Sequence, residues 1–326
     1  MERNQSKADP RLESIPNFSE GRRGEILRGL QESARGAPGV TLLDSSADPD
    51  HHRSVFTLAG QAQDLENCLF SLIRQAIETI DLRQHRGVHP RIGAVDVVPF
   101  VHLEDDTNPA AAVPSARRLG ERVAEGFETP VFLYGAAASH EGRPSLPQLR
   151  RGGLPGLRRR MIDGIHQPDF GPSRPHPTAG VAVIGARPFL IALNVILNAD
   201  ALPAARRIAK RVRESSGGLP ALQALGLSLD ARGRGQVSMN LLDYRRTSPA
   251  QAVAAVAECI ANEAVDDGNL SRGGLQIEEV EIIGLVPQAA LPREVRSHWV
   301  EQGWSDEETL TARLLEPRLP PMATMP

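Results

Sequence analysis

Cysteine and aromatic residues are scarce in this chain, and long apolar runs are missing from it altogether. Only Cys68 and Cys259 occur, each on the apolar stripe of a predicted helix, so they read as buried thiols in a reducing compartment rather than as a disulfide. Aromatics are 4% of the 326 residues, so the core must be aliphatic, and 40% hydrophobic residues suffice to build one. No apolar stretch approaches the roughly 20 residues that cross a bilayer. The opening MERNQSKADPR has no apolar segment of the kind a secretory signal needs. Charge of one sign is lacking too: a net −3 gives no field for nucleic acid or an anionic membrane. A cytoplasmic globular protein is expected, without nucleic-acid or membrane partners. Its length exceeds a single typical core, which predicts two subdomains.

What is present is a repeated order of elements. Residues 1–10 read as a loose tail, and 12–18 as a short strand interrupted by Pro16. Ile26, Leu27, Leu30 and Ala34 recur at helical spacing. Strands are predicted at 40–43 and 54–58, on either side of a polar run. The clearest helix carries Leu65, Cys68, Leu69, Leu72, Ile73, Ala76, Ile77 and Ile80 on one stripe. A strand at 94–101 completes β-α-β-β-α-β, and a helix (111–125) and strand (131–134) extend this half. Residues 139–177, rich in Pro, Gly and Arg, read as a long connection without a core, with Arg150, Arg151, Arg158, Arg159 and Arg160 as a solvated or docking face in preference to an anion site. A strand at 178–185 leads into the second half. There a strand (189–196), helix (204–214), hairpin (222–229 and 236–242), helix from Pro249 and strand (279–286) repeat the order. Residues 317–326 read as a second loose tail. The expected fold is α+β, with two ferredoxin-like (βαββαβ) subdomains at 11–177 and 178–316. Their sheets are expected to face a shared crevice, a preferred place for small ligands.

Chemistry concentrates in residues 80–100, IDLRQHRGVHPRIGAVDVVPF. His89 precedes Pro90, which disfavours the α region and predicts an extended entry to the strand. Residues two apart then share a face, placing His89 and Arg91 side by side. A strand-capping histidine fits the same pattern. Asp96, set among valines, suits either the orientation of His89 or Arg91 or a buried structural hydrogen bond. His51, His52, His85 and His89 with Asp44, Asp48 and Asp50 are metal-ligand types. Gly87 and Pro90, however, deny His85 and His89 a common helix face, and no acidic base lies between them. No bound metal is expected. Neither cysteine sits near a histidine, and no serine occupies a strained elbow. The run 171–180, GPSRPHPTAG, is stiff and extended, with no phosphate-cradling pattern; alone, it reads as a linker.

Six segments carry a more specific signal: IPNFSEGR, DPDHHRSVFTLAG, HRGVHPRIGAVDVVPF, PDFGPS, SMNLLDY and GLVPQAAL. In this order, across 15–291, they resemble the formiminotransferase family, in a stand-alone form without a cyclodeaminase half. The resemblance implies two ferredoxin-like subdomains with a folate tunnel, and a homodimer. It implies transfer of a formimidoyl group from N-formimidoyl-L-glutamate to tetrahydrofolate as co-substrate, without a metal, giving 5-formimidoyltetrahydrofolate and L-glutamate. His89 matches the family's catalytic histidine, acting as general base and then acid; an ordinary imidazole titrates near pH 6.5, which suits both steps. The family's folate-contacting segment maps onto Gly171, Pro172, Ser173, Arg174, Pro175, His176, Pro177, Thr178, Ala179 and Gly180. Both reactants carry glutamate carboxylates, and Arg53 and Arg91, each beside a family motif, are the candidates to hold them. The chain departs from the family at Ser46, often acidic there, at His52, often asparagine, and at Val88, often glutamate. These departures leave as alternatives a folate-binding protein without turnover and a formyl-donor variant. A metal hydrolase is the third reading.

Overall fold

The structure, a computed structural model, describes residues 9–86, 91–105, 107–139, 145–229, 232–266 and 274–320, and in 263–266 the backbone alone. His89 and Val88 lie outside the described residues. The chain divides into two compact units, Met1–Pro188 and Phe189–Pro326.

The first unit begins with β1 (Arg11–Ser14), β2 (Asn17–Phe18), α1 (Gly24–Arg35), β3 (Val40–Asp48), β4 (Arg53–Gln61), α2 (Ala62–Thr79) and β5 (Val95–His102). Ile15 and Pro16 split the first strand in two, as a residue without an N–H does in a ladder. The two pieces pair between β4 and β5, and β3 pairs with β4, all antiparallel. This is the β-α-β-β-α-β order read from the sequence. β3 runs past the expected 40–43 because Asp44 to Asp48 continue to pair with β4. On α2, Leu65, Cys68, Leu69, Leu72, Ile73 and Ala76 are buried on the predicted stripe. Each leucine so placed is worth roughly 1.5–3 kcal/mol. Glu66, also buried there, is held by Arg118 of α3 (Val113–Phe127) through Nε–Oε2 at 3.1 Å and Nη2–Oε1 at 2.6 Å. That bidentate bridge ties the two helices together.

The rest of the unit corrects two expectations. Residues 139–177 are not a bare connection: after β6 (Val131–Gly135) they form α4 (Leu146–Arg150) and α5 (Gly153–Ile162). Leu149, Leu157 and Met161 pack there with Ile92, Phe132, Val181 and Val183 as a second, smaller core. The main core holds the alternate residues Val131, Leu133, Ala182 and Ile184, so the sheet carries helices on both faces along β6 and its neighbour. That neighbour is β7 (Ala182–Ala186), which lies between β5 and β6 and runs parallel to each. The strand expected at 178–185 therefore closes the first unit instead of leading into the second. The first unit ends at Pro188 rather than at 177, because β7 finds its partners in the first sheet.

The second unit holds β8 (Ile191–Leu197), α6 (Leu202–Val212), β9 (Leu222–Leu229), β10 (Arg234–Leu241), α7 (Pro249–Asp266) and β11 (Ile277–Ile283). Its strands lie in the order β11-β8-β10-β9, all antiparallel, which is the ferredoxin-like arrangement. Pro249 opens α7, as a residue with a fixed φ and no N–H does in a first turn. Cys68 on α2 and Cys259 on α7 occupy corresponding helices, and neither is in a disulfide. Two short helices, α8 (Arg293–Glu301) and α9 (Glu307–Ala312), follow the last strand and bury Trp299 and Leu310. No described helix is long and apolar enough to cross a membrane.

Candidate functional site

Four segments meet at the end of the first sheet: the turn after β2, the β3–β4 hairpin, His85, and Arg91. Glu20, fully buried, is the anchor. Its Oε1 accepts the N–H groups of Gly21, Arg22 and Arg23 at 3.0, 2.8 and 2.9 Å, and its Oε2 takes Arg23 Nε at 2.5 Å. Burial alone would raise its pKa; the backbone N–H groups and Arg23 outweigh that and hold it below the usual carboxylate range. Gly21 has no room for a side chain, since a Cβ would fall 2.3 Å from the Asp48 carbonyl oxygen. That close approach brings the hairpin down onto Glu20. Gly21 N–H donates to His52 Nδ1 at 3.1 Å, and His52 sits with a positive φ of 49°.

His52 stacks on His85, with ring centroids 4.0 Å apart and planes 22° from parallel. His85 Nε2–H donates to the His52 carbonyl at 2.8 Å, so Nδ1 carries the lone pair, buried and without a partner among the described residues. Burial, with help from Arg91 and His52, pushes the His85 pKa down to about 4. Burial lowers His52 as well, against the pull of Glu20. Both imidazoles are therefore neutral near pH 7. His51 is a separate case: its backbone N–H and Nδ1 both bond Asp48, at 2.8 and 2.7 Å. The Asp48 carboxyl is half-buried, which works against its charge, yet the His51 bonds bring it down to about 2. Among the described residues no three His, Cys, Asp or Glu side chains converge as a metal site would require.

Arg91 donates Nη2 to the His85 carbonyl at 3.0 Å and also lines a cavity of about 1200 Å³ within the first unit. Arg83, Arg158 and Arg174 line it too, with the carboxylate of Glu128; Asp81 holds Arg83, Nε to Oδ1 at 2.9 Å and Nη2 to Oδ2 at 2.6 Å. One wall is Pro172, Pro175, His176 and Pro177. The predicted folate-contacting run is thus a cavity wall, and its shape is fixed internally. His176 and Gly180 exchange backbone hydrogen bonds at 2.8 and 3.1 Å, and Ala179 N–H donates to His176 Nδ1 at 3.0 Å. The Thr178 carbonyl accepts Leu82 N–H, and that of Ala179 accepts Ala94 N–H. Gly180 has φ 74°, and a Cβ there would lie 2.2 Å from the Ile92 carbonyl oxygen, so glycine is required. Gly171, at φ 84°, packs against Thr129 and Ala124, while Ser173 is exposed.

Not every predicted residue is gathered here. Arg53, at the start of β4, pairs with Asp48 across the hairpin and is not among the cavity's lining residues. Asp96 takes the structural role: Oδ1 accepts Ile92 N–H at 2.7 Å, and Oδ2 is bound by Arg150. Arg150 is consequently an internal staple rather than part of a solvated face, and Arg158 belongs to the cavity. Glu20 and Arg83 escaped the sequence reading, and Arg158 was placed on a solvated or docking face instead of in a cavity. The one signal for Glu20 was its place just before a helix start, where a carboxylate finds free N–H groups.

Comparisons with known proteins fit this arrangement. The profile of the formiminotransferase domain, N-terminal subdomain, matches residues 11–187, and that of the formiminotransferase domain matches 192–309. This chain belongs to the formiminotransferase family. It is 40% identical over 280 residues to glutamate formimidoyltransferase of Streptococcus pyogenes serotype M1, covering 86% of this chain and 90% of that protein. It is 37% identical over 307 residues to the Thermoplasma acidophilum protein of the same name, covering 94% and 97%. With formimidoyltransferase-cyclodeaminase of Sus scrofa it shares 38% identity over 286 residues, 86% of this chain but 51% of that longer protein. Within the family the N-terminal subdomain match ends at residue 187, beside the end of the first unit.

Proposed function

We propose that this chain transfers the formimidoyl group of N-formimidoyl-L-glutamate to tetrahydrofolate, releasing L-glutamate. The observation that carries the reading is the cavity wall. A rigid Pro172–Pro177 run and the guanidinium groups of Arg91, Arg158 and Arg174, with a fourth at Arg83 that Asp81 holds, suit ligands that end in glutamate carboxylates. In the reaction the folate ring amine attacks the amidine carbon and a C–N bond forms. The incoming nitrogen gives up a proton, the glutamate nitrogen gains one, and its C–N bond breaks. His89, two residues from Arg91, takes the first proton and returns it to the departing amine. His85 is unfit for this, because a pKa near 4 makes it too weak a base to take the first proton at neutral pH. Arg91 joins the His85 backbone to the cavity and holds a substrate carboxylate there. The Gly171–Gly180 run contacts the folate; being braced by its own hydrogen bonds, it loses little entropy on binding. By likeness to the family we take the protein to be a cytoplasmic homodimer. A donor screen with tetrahydrofolate, read by the pteridine absorbance, tests the reaction. Formimidoylglutamate should give product, whereas binding of folate with no turnover from any formimidoyl or formyl donor would overturn it.

A further inference from the structure

Glu13 stands apart from everything described above. It lies on β1 in the middle of the first sheet, paired with Ala59 of β4 and Val101 of β5. Its neighbour Leu12 belongs to the main core, so alternation turns Glu13 toward the other face of the sheet. Thr57, between the core residues Phe56 and Leu58, turns the same way. It is the diagonal neighbour of Glu13, roughly 7–8 Å away across the pair of strands. Glu13 is 1% exposed and Thr57 1%. Neither Glu13 Oε1, Glu13 Oε2 nor Thr57 Oγ1 has a hydrogen-bond partner among the described residues. Three orphaned oxygens on one face of the sheet are costly, at about 1–3 kcal/mol for each unmet group. An aliphatic pair would fill that space without the cost, and such orphans ask for a partner from outside the fold.

We propose that Glu13, with Thr57 beside it, is a ligand-binding pair that recognises a planar N–C–N edge carrying N–H groups. The inference rests on the folate reading and sharpens it. A carboxylate accepts two parallel N–H bonds from such an edge. A neutral carboxyl makes the same pair with the proton on its own oxygen, giving an O–H to the imine nitrogen and accepting one N–H. The heavy atoms are arranged identically, so the carboxyl, whose pKa is pushed up to about 8 by burial against the pull of Arg187, fits in either state. Ala59 and Val101 flank it with small apolar surface, which suits the flat faces of such a group. Thr57 supplies a hydroxyl for a further polar atom on the same ring or chain. Two sources share this chemistry: the amino-pteridine edge of tetrahydrofolate and the amidine of the formimidoyl donor.

The test is calorimetric binding of tetrahydrofolate alone and of N-formimidoyl-L-glutamate alone to the wild-type protein and to Glu13→Met and Glu13→Gln. Methionine removes both oxygens at similar length, so the variant should fold and melt no lower than wild type. It should weaken one ligand about ten- to hundredfold, and glutamine, which keeps one donor and one acceptor, should restore part of the loss. Which ligand weakens identifies the source. Unchanged affinity for both overturns the proposal and leaves Glu13 to internal water. A wild-type protein that binds neither ligand overturns the folate reading together with this one. A second readout does not depend on the methionine variant folding. The infrared band of the buried carboxyl, assigned by its absence from Glu13→Gln, must shift when ligand is added to wild type. A band that stays in place contradicts the proposal.

Discussion

Glu13 and Glu20 are seven residues apart, both buried in the first unit, and they titrate in opposite directions. The strand centre around Glu13 offers its carboxyl no hydrogen bond, so burial dominates and favours the protonated form. The turn after Glu20 offers three backbone N–H groups and a guanidinium, so the same burial is outweighed and the charge stays. Burial therefore does not set the charge of a carboxyl; the donors that follow it inside do. In the first unit one region spends a buried charge on structure, and the other keeps an unmet group in reserve.

The comparison can be broken most forcefully at Glu20. Replacing it with alanine strands three N–H groups and Arg23, and should cost on the order of 3 kcal/mol in urea unfolding. Its lowered pKa means its contribution is present above about pH 4.5 and fades as pH falls through the folded value. A variant as stable as wild type would show that the bonds around Glu20 do not hold the turn.

Glu13 should show the reverse sign. With a pKa raised from 4.5 to about 8, the folded state keeps a proton that the unfolded state has lost. Its contribution is complete below pH 4.5 and declines as pH rises to 8, by a few kcal/mol in all. Arg187 is the charged group facing it from beyond β7, and Thr57, Ala59, Pro99 and Val101 on the adjoining strands are uncharged. Glu13→Gln should flatten the stability profile between pH 4.5 and 8. An unaltered slope would mean that Glu13 is ionised in the fold. The smallest effect belongs to Thr57→Val, which removes one orphaned hydroxyl. It should be neutral or stabilise by up to about 1 kcal/mol, and a loss above that would reveal a partner for Oγ1.

Neither glutamate could be told apart in the sequence. Glu13 falls in the expected strand at 12–18 and Glu20 just beyond it; only the pairing of β1 between two strands and the closing of the hairpin on Gly21 separate their fates. The apolar stripe of α2 and the doubled βαββαβ order were legible, because periodicity is a local property. The partners of β7 were not, since an apolar run such as VAVIGA carries no mark of which sheet it joins. α4 and α5 were hidden by Pro, Gly and Arg, although within each helix the apolar residues recur at three- and four-residue steps, Leu146 and Leu149 in α4 and Leu154, Leu157 and Met161 in α5. The run 171–180 was recognisable as stiff, but its place on a cavity with Arg83 and Arg158 depends on contacts between distant segments. Arg53 was singled out for its neighbours in sequence; it lies opposite Asp48 in the hairpin that packs on Gly21, off the cavity's lining.

The central claim is that His89 moves the proton in formimidoyl transfer while the arginine-lined cavity and its rigid wall hold the ligands. The direct measurement is turnover, folate affinity and melting temperature on one His89→Ala preparation. Turnover should fall by roughly 10²–10⁴-fold, with folate affinity and melting temperature close to wild type, because the imidazole acts on charge that develops only during transfer. Near-normal turnover, or a lowered melting temperature with turnover per folded molecule preserved, would contradict it.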